Sequence, residues 1–434
     1  MNDFQEEERK TIPIFEKPNI KFLGDIKGGG SNIFFGNNDK NFTQHYNIFD
    51  KKNFIRNIII QNNDDENEDK EFNNNKEFDE KKNKLILKYK SQLNEKYIGK
   101  RIITLKISEK EDNSYFISLF YCLGNLHDLL LYLQKNINKI KNVEKFPFSF
   151  SFFRIIEQQY NNNDLKSNPN SDILSFIKVV EYFYPLFKTN KNPIDLFNIL
   201  MNNIHNELNE IHKNNFFFEK KIDKKNLNEL IDDKINFNKN NDSIITKYFT
   251  LFCKKDIKCI KCKNIYYEIQ NFISFDLDPI NTYKKYKKKN LTINDCLSYY
   301  ISPINEKIIC SICNKFCRLS IQKKLFSPPS NLVLVINRNN QNEEREILGI
   351  NIKYEEFLDI SFFIDKKTID FKVEYILIGV EAFLKNKNKF VSFCKNIFGN
   401  NEWVCFDDES INECNYDDMV KNSSPYMLFY KKIE

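Results

Sequence analysis

No run of 18 apolar residues occurs in the 434-residue sequence, so we expect no transmembrane helix and no membrane partner. The first ten residues, MNDFQEEERK, are acidic and polar, unlike a signal or transit peptide. Glycine (10) and proline (11) are scarce while asparagine and lysine abound, which is typical of compositional drift, so runs of asparagine and lysine carry no functional weight. These absences predict a protein of the nucleus or cytoplasm.

A large excess of either charge is also absent. The chain has 66 lysines and arginines against 60 aspartates and glutamates, a net charge of +6. Proteins that bind nucleic acid usually carry a denser basic surface. We therefore expect no direct contact with nucleic acid.

The cysteines cluster in the second half of the chain, where ten of the eleven follow residue 250. In a reducing compartment this clustering indicates metal binding or buried thiols rather than disulfides. Four of them form two Cys-x-x-Cys pairs, Cys259 with Cys262 and Cys310 with Cys313. Two such pairs supply the four thiolates of a closed tetrahedral site, so we predict one structural Zn²⁺. The alternative is a set of buried reduced thiols, and Cys253 and Cys317 are near enough in the sequence to be substitute ligands.

A change in composition near residue 95 divides the chain in two. Residues 62–83 are acidic and of low complexity, and the glycines at 28–30 form a flexible joint. We therefore predict that residues 1–95 are a low-complexity, largely disordered extension. Residues 96–434 are predicted to form the folded domain.

Within the folded part, helical patterns come first and β-like patterns later. Apolar spacing predicts helices within residues 114–134, 173–187 and 193–212. Short β-branched or aromatic runs predict strands at residues 332–336, 375–380, 390–394, 403–406 and 426–430. Helices that precede strands without alternation favour an α+β fold.

Seven sequence motifs follow one another along residues 113–432. They are NSYFISLFYCL (113–123), NPIDLFNILMNNIHNEL (192–208), SPPSNLVLVINR (327–338), IKYEEFLDISFFI (352–364), YILIGVEAF (375–383), FVSFCKNIFGNNEWVCFDDESI (390–411) and SSPYMLFYKK (423–432). Their order resembles that of the ubiquitin-specific proteases, the papain-like deubiquitinases. The first motif is similar to the family's nucleophile box and the second to its Asp-Ala-x-Glu-Phe-Leu helix. The resemblance covers about residues 100–434.

The resemblance implies a papain-like ubiquitin-specific protease fold with a helical thumb, a β-rich palm and zinc-bearing fingers at about residues 245–325. In this family a cysteine thiolate attacks the bond after the C-terminal glycine of ubiquitin. A histidine acts as the base, and an aspartate or asparagine orients that histidine. The implied partner is ubiquitin or a ubiquitinated protein.

The family's catalytic motifs fall on residues of different chemistry in this chain. The nucleophile position is Ser114, whose hydroxyl is a much weaker acid than a thiol. The oxyanion-hole asparagine falls on Glu109, a carboxylate that would repel a developing oxyanion. The base falls on Lys389, and the orienting aspartate is retained as Asp407. The chain's four histidines are His45, His127, His205 and His212, so none in the C-terminal half can replace the base.

These changes predict a pseudo-deubiquitinase that binds ubiquitin, or that regulates or scaffolds a complex in ubiquitin-dependent processes. One alternative is an active hydrolase, because Ser–Lys pairs such as Ser114 with Lys389 catalyse acyl transfer in other proteins. A second is a spliceosomal (tri-snRNP) scaffold without ubiquitin contact. The segments at 113–115 (NSY) and 192–195 (NPID) resemble the inactive spliceosomal Sad-one-like branch. That branch usually has an N-terminal zinc finger, which residues 1–95 lack the cysteines to form, and usually lacks the finger cysteines present here.

Overall fold

Helices occupy the first half of the domain, where apolar residues recur at helical spacing. The computed structural model describes residues 67–93, 95–98, 113–142, 145–160, 169–189, 191–209, 226–337, 350–366, 371–384, 386–398, 402–407 and 410–433. The described residues from Lys70 onward form one compact unit. The helices are α1 (Asn67–Lys90), α2 (Glu95–Ile98), α3 (Ser114–Gly124), α4 (His127–Ile140), α5 (Pro147–Gln158), α6 (Pro169–Phe183), α7 (Pro185–Thr189), α8 (Pro193–Leu208), α9 (Leu227–Asn240), α10 (Ile244–Phe249), α11 (Pro279–Tyr286), α12 (Ile293–Tyr300) and α13 (Tyr416–Asn422).

Local sequence signals set where several of these helices begin. Pro193 occupies the first turn of α8, where its missing N–H costs no hydrogen bond. Asn192 caps the same helix by accepting a hydrogen bond, at 2.8 Å, from the backbone N–H three residues on. Helix α10 begins with a capping box in which Ser243 and Thr246 each accept a hydrogen bond from the other's backbone N–H.

The strands lie mostly in the second half of the domain. They are β1 (Leu251–Cys259), β2 (Ile265–Phe272), β3 (Phe275–Leu277), β4 (Asn290–Thr292), β5 (Ile304–Ile309), β6 (Phe316–Ser327), β7 (Asn331–Ile336), β8 (Asn351–Lys353), β9 (Phe357–Asp359), β10 (Glu374–Leu384), β11 (Lys389–Lys395), β12 (Trp403–Phe406), β13 (Ile411–Cys414) and β14 (Ser424–Ile433). The largest sheet has the order β13-β12-β11-β10-β14-β7-β3, with β9 paired to β10. Its strands are antiparallel except for β3 and β7.

Both faces of this large sheet are buried, because alternate residues of a strand enter different hydrophobic clusters. In β10, Ile376 and Ile378 pack with the helices in the first hydrophobic cluster. Tyr375 and Leu377 point to the opposite face and belong to the second hydrophobic cluster, which also contains Leu332 and Leu334 of β7. Helix α3 contacts β10 and β11, and every one of its residues is buried. This packing explains why the α3 sequence is apolar almost throughout, and it places the first residue of α3 beside β11.

Four antiparallel strands, in the order β2-β1-β6-β5, form a second sheet in the region predicted as the fingers. We call it the finger sheet. Strand β6 runs antiparallel to β1, with Leu319 opposite Cys259. The β1–β2 turn and the β5–β6 turn therefore lie at the same end of the sheet. Residues that are about fifty positions apart in the sequence meet there.

The predicted extension at residues 1–95 needs a correction for its last part. Residues 67–90 form α1, and Leu85, Tyr89 and Leu93 are buried in the same hydrophobic cluster as α3. The Tyr89 hydroxyl donates a hydrogen bond to Asp128 at 2.6 Å. The three buried residues recur every four positions, a helical stripe that the acidic low-complexity composition obscures. Residues 1–66 lie outside the described part of the chain.

The predicted α+β fold is confirmed, and the five predicted strands lie within β7, β10, β11, β12 and β14. The helix predicted to reach residue 212 ends at Leu208, and residues 210–212 are outside the described ranges. The 173–187 helix is divided into α6 and α7 at Tyr184, since a residue before proline disfavours the helical conformation. Among the described residues, no single helix is long and apolar enough to cross a membrane, although α3 and α4 together, bent by 81°, reach that length.

Candidate functional site

Ser114, to which the sequence resemblance assigns the family's nucleophile, is the first residue of α3. Its side chain is buried at 5% exposure, where the end of the helix meets β11. The hydroxyl oxygen accepts a hydrogen bond from the backbone N–H of Phe390 at 3.0 Å. The N-terminus of a helix favours negative charge, so this position suits a nucleophile that becomes an anion. In this chain, a neutral serine occupies it.

Lys389, to which the sequence resemblance assigns the family's base, forms an ion pair with Asp407. Lys389 begins β11, and Asp407 follows β12. The Asp407 side chain is only 3% exposed, and Lys387 contacts its second oxygen at 2.8 Å. Asn388, between the two lysines, has a left-handed φ of 51°, and both lysines reach the same carboxylate. A buried carboxylate needs such partners, because an unpaired charge away from water is costly.

Three of the four positions singled out in the sequence are thus brought together. Ser114 contacts the residue that follows Lys389, and Lys389 contacts Asp407. Glu109 lies outside the described residues. Lys387 was not identified from the sequence, because no pattern distinguishes it among so many lysines. An ammonium paired with a buried carboxylate is stabilised in its charged form, in which it has no lone pair to accept a proton.

Two histidines of the described chain are buried in the helical half. His205 is fully buried in α8, and its Nδ1 lies 2.8 Å from the Ser243 hydroxyl. Burial lowers the pKa of His205 to about 4. The ring of His127 packs between Tyr89 and Phe398, with ring centroids 5.2 Å and 4.5 Å away. These contacts indicate structural roles for both rings, whereas residues 45 and 212 are outside the described ranges.

The four cysteines of the predicted metal site come together at the end of the finger sheet. The sulfurs of Cys259, Cys262, Cys310 and Cys313 all lie within 4.8 Å of one another. In the β1–β2 turn, the N–H of Lys263 donates to the carbonyl of Cys259 at 2.9 Å, and in the β5–β6 turn the N–H of Asn314 donates to the carbonyl of Cys310 at 2.8 Å. Lys263 and Asn314 both have left-handed φ values, of 60° and 48°. The two turns therefore have matching geometry, and together they present four thiols that can hold one metal ion.

The two further candidates for substitute ligands differ in position. The Cys317 sulfur lies 3.3 Å from the Cys259 sulfur, so it belongs to the same thiol cluster. Cys253 does not, because it is fully enclosed in the second hydrophobic cluster, where burial raises the pKa of its thiol to about 12. The backbone N–H of Cys262 lies 3.4 Å from the Cys259 sulfur, and this hydrogen bond is the main reason that the pKa of Cys259 is lowered to about 6. The lowered pKa favours the thiolate form, which binds metal, at Cys259 alone, because the pKa values of Cys262, Cys313 and Cys317 in the same cluster are raised.

Comparisons with known proteins agree with this architecture. The family model described as ubiquitin carboxyl-terminal hydrolase matches residues 49–430. No curated protein matches the sequence. A solved structure of the SAGA DUB module Ubp8/Sgf11/Sus1/Sgf73 bound to monoubiquitin is similar at 17% identity and a TM-score of 0.57, covering 76% of this chain and 69% of that chain. The same module bound to ubiquitin aldehyde gives 17% identity and a TM-score of 0.57, covering 76% of this chain and 70% of that chain.

A yeast SAGA DUB module with an Sgf73 mutant is also similar, at 17% identity and a TM-score of 0.56, covering 76% of this chain and 69% of that chain. At such low identity these structures show the fold alone. The family match extends over most of the sequence, from before α1 into β14. The chain therefore belongs to the ubiquitin carboxyl-terminal hydrolase family and has the fold of its ubiquitin-specific proteases.

Proposed function

We propose that this protein is a pseudo-deubiquitinase, which binds ubiquitin or a ubiquitinated protein without hydrolysing it and thereby regulates or scaffolds a complex. One observation carries the proposal. Where the family places a histidine oriented by an aspartate, this chain has the Lys389 ammonium paired with the buried Asp407. The carboxylate that would orient a base instead neutralises a cation.

The ion pair opposes the alternative in which Ser114 and Lys389 act as a catalytic pair. A serine hydroxyl needs a general base to remove its proton, and a lysine can be that base only when it is uncharged. The Asp407 carboxylate favours the charged lysine, and Lys387 leaves that carboxylate with a second cation rather than a free oxygen. Glu109, at the oxyanion position that the resemblance implies, adds a further obstacle because a carboxylate repels an oxyanion.

Retention of ubiquitin binding is supported by what the chain has kept. The finger sheet with its two matched turns is present, and the match to the family extends through the palm strands. Similar structures are of a SAGA DUB module bound to monoubiquitin and to ubiquitin aldehyde. By this analogy we assign the partner as ubiquitin, or a ubiquitin-bearing protein in a multiprotein complex.

We further propose that the metal of the cysteine cluster is a structural Zn²⁺. Four thiolates in two matched turns complete a tetrahedral shell and leave no position for a reacting water. Such an ion supplies no catalysis and holds the two turns together, in a cluster that has only four buried residues besides the ligands Cys259 and Cys310.

The proposal is tested by pairing a binding assay with a cleavage assay on the full chain. Calorimetric titration with monoubiquitin should show binding, whereas a fluorogenic ubiquitin C-terminal amide should remain uncleaved. Cleavage that disappears in Ser114→Ala would establish the active hydrolase instead. Absence of heat at high ubiquitin concentration would remove the ubiquitin contact and favour a scaffold, such as the spliceosomal one, which recovery with splicing proteins would then support.

A further inference from the structure

The end of the finger sheet carries a concentration of exposed apolar side chains. We call residues 258–265 and 307–318, which comprise the two turns and the adjoining strand ends, the fingertip. Of the fifteen large apolar residues that the described chain exposes, six are in the fingertip. They are Ile260, Ile265, Ile308, Ile309, Ile312 and Phe316. Single exposed apolar residues are ordinary, but a contiguous group marks an interaction surface.

Strand pairing makes two of these residues direct neighbours. Ile309 and Phe316 are opposite each other at the end of the β5–β6 hairpin, and they are 66% and 69% exposed. Ile260, 53% exposed, lies in the other turn, and its backbone N–H donates to the carbonyl of Arg318 at 3.1 Å. The exposed apolar side chains of both turns therefore lie at the same end of one sheet.

The charge of the fingertip is of one sign. Its two segments contain six basic residues and no aspartate or glutamate. These are Lys258, Lys261, Lys263, Lys307, Lys315 and Arg318, all exposed. Within the described part of the chain, none of the six forms a salt bridge. A Zn²⁺ ion with four thiolates carries a net charge of −2, so the six cations leave an excess of four positive charges (six minus two).

We propose that the fingertip binds the surface of a membrane containing anionic lipid, with Ile309 and Phe316 inserted among the acyl chains and the basic residues against the headgroups. Peripheral proteins combine exposed apolar groups with lysine and arginine for this purpose. The outward-facing ends of two hairpins suit a flat, deformable surface, and the uniformly positive charge complements a negative one. This contact is peripheral, so it needs no membrane-spanning helix, and it replaces the expectation from the sequence that the protein has no membrane partner.

Vesicle flotation of the full chain tests the proposal. The protein should float with vesicles of phosphatidylserine and phosphatidylcholine in equal parts, should not float with phosphatidylcholine alone, and should dissociate as salt is raised. The double variant Ile309→Ser, Phe316→Ser should bind the anionic vesicles at least about tenfold more weakly than the wild type, because two inserted apolar groups are lost. The matched control is Leu186→Ser with Phe362→Ser, which changes residues 78% and 69% exposed outside the fingertip.

Insertion can be observed by the fluorescence of a tryptophan placed in the fingertip. The natural chain has one tryptophan, Trp403, which is only 3% exposed and therefore gives a constant background. In Phe316→Trp, anionic vesicles should shift the added emission to shorter wavelength, and brominated lipid should quench it. Phe362→Trp should show neither effect. No flotation with anionic vesicles, or equal flotation of the fingertip double variant with an unchanged melting temperature, would overturn the proposal. Loss of ubiquitin binding in that variant, without vesicle binding by the wild type, would assign the fingertip to a protein partner instead.

Discussion

The backbone N–H of Phe390 donates a hydrogen bond to the hydroxyl oxygen of Ser114 at 3.0 Å, and so joins the beginning of α3 to β11. The neighbouring residue, Lys389, is bound by Asp407 from the end of β12. A helix and two strands thus converge at the three residues that the sequence resemblance assigns to the family's catalytic positions. In this chain, the side chains at that convergence hold the structure together through a hydrogen bond and an ion pair.

The two lysines on Asp407 should contribute unequally to stability. Lys389→Met should lower the free energy of unfolding by about 2 kcal/mol, because the buried carboxylate would lose its less exposed cation and keep Lys387, whose side chain is 47% exposed. Lys387→Met is the matched control and should cost less than about 1 kcal/mol, as exposed ion pairs do. Urea denaturation at neutral pH measures both. Equal losses would contradict the dominant role assigned to Lys389.

The thiol cluster should determine both the metal content and the stability of the fingers. The purified protein should carry one zinc ion per chain, and Cys310→Ser should lower both the zinc content and the melting temperature, because one of four ligands is removed. Atomic absorption and thermal denaturation measure the two effects. Cys405→Ser, outside the cluster, is the control. An unchanged zinc content in Cys310→Ser would refute the site, and an unchanged content in Cys317→Ser would show that the fifth thiol is not a ligand.

Helix α1 should behave as part of the domain and not as a detachable tail. Leu85→Ala should lower the free energy of unfolding by about 2–4 kcal/mol, because a leucine only 5% exposed would leave a cavity against the helical core. Leu87→Ala, two positions along the same helix and 66% exposed, should change it by less than about 0.5 kcal/mol. Chemical denaturation of the two variants distinguishes them. Comparable small effects in both would place α1 outside the cooperative unit.

Glu381 should make the fold more stable at acidic than at neutral pH. It is completely buried in β10, where desolvation holds its pKa well above the usual range, although the Ser118 hydroxyl donates to it at 2.5 Å. The folded chain therefore keeps a proton that the unfolded chain releases above about pH 4.3, so this group's contribution to stability falls as pH rises from there.

Glu381→Gln removes that titration while keeping the shape of the side chain. It should raise the melting temperature at neutral pH, and the gain should disappear near about pH 4, where the unfolded carboxyl is protonated as well. Thermal melts of the variant and the wild type across this range make the comparison. Ser118→Ala, which removes the donor at 2.5 Å, should lower the melting temperature instead. A gain in Glu381→Gln that is independent of pH would contradict the explanation.

Several features could be predicted from the sequence because they depend on local spacing. The buried pattern at 114–134 predicts two helices, and α3 and α4 follow it. The two Cys-x-x-Cys pairs predict a four-thiol cluster, and the four sulfurs do converge. The burial of α1 was missed, because its stripe of Leu85, Tyr89 and Leu93 is sparse and surrounded by charged residues. Three apolar residues among many charged ones can be recognised as the buried face of a helix only when the surface that they pack against is known.

The sequence by itself determined the family, the order of helices and strands, and the chemical identity of the residues at the positions that the resemblance assigns to catalysis. Those properties reside in the order of side chains along the chain. Only the tertiary structure decided that Lys389 and Lys387 share the carboxylate of Asp407, that Cys317 joins the thiol cluster while Cys253 does not, and that the apolar residues of two distant turns meet at the fingertip. These relationships depend on the register and packing of strands far apart in sequence, which the local pattern of residues does not specify.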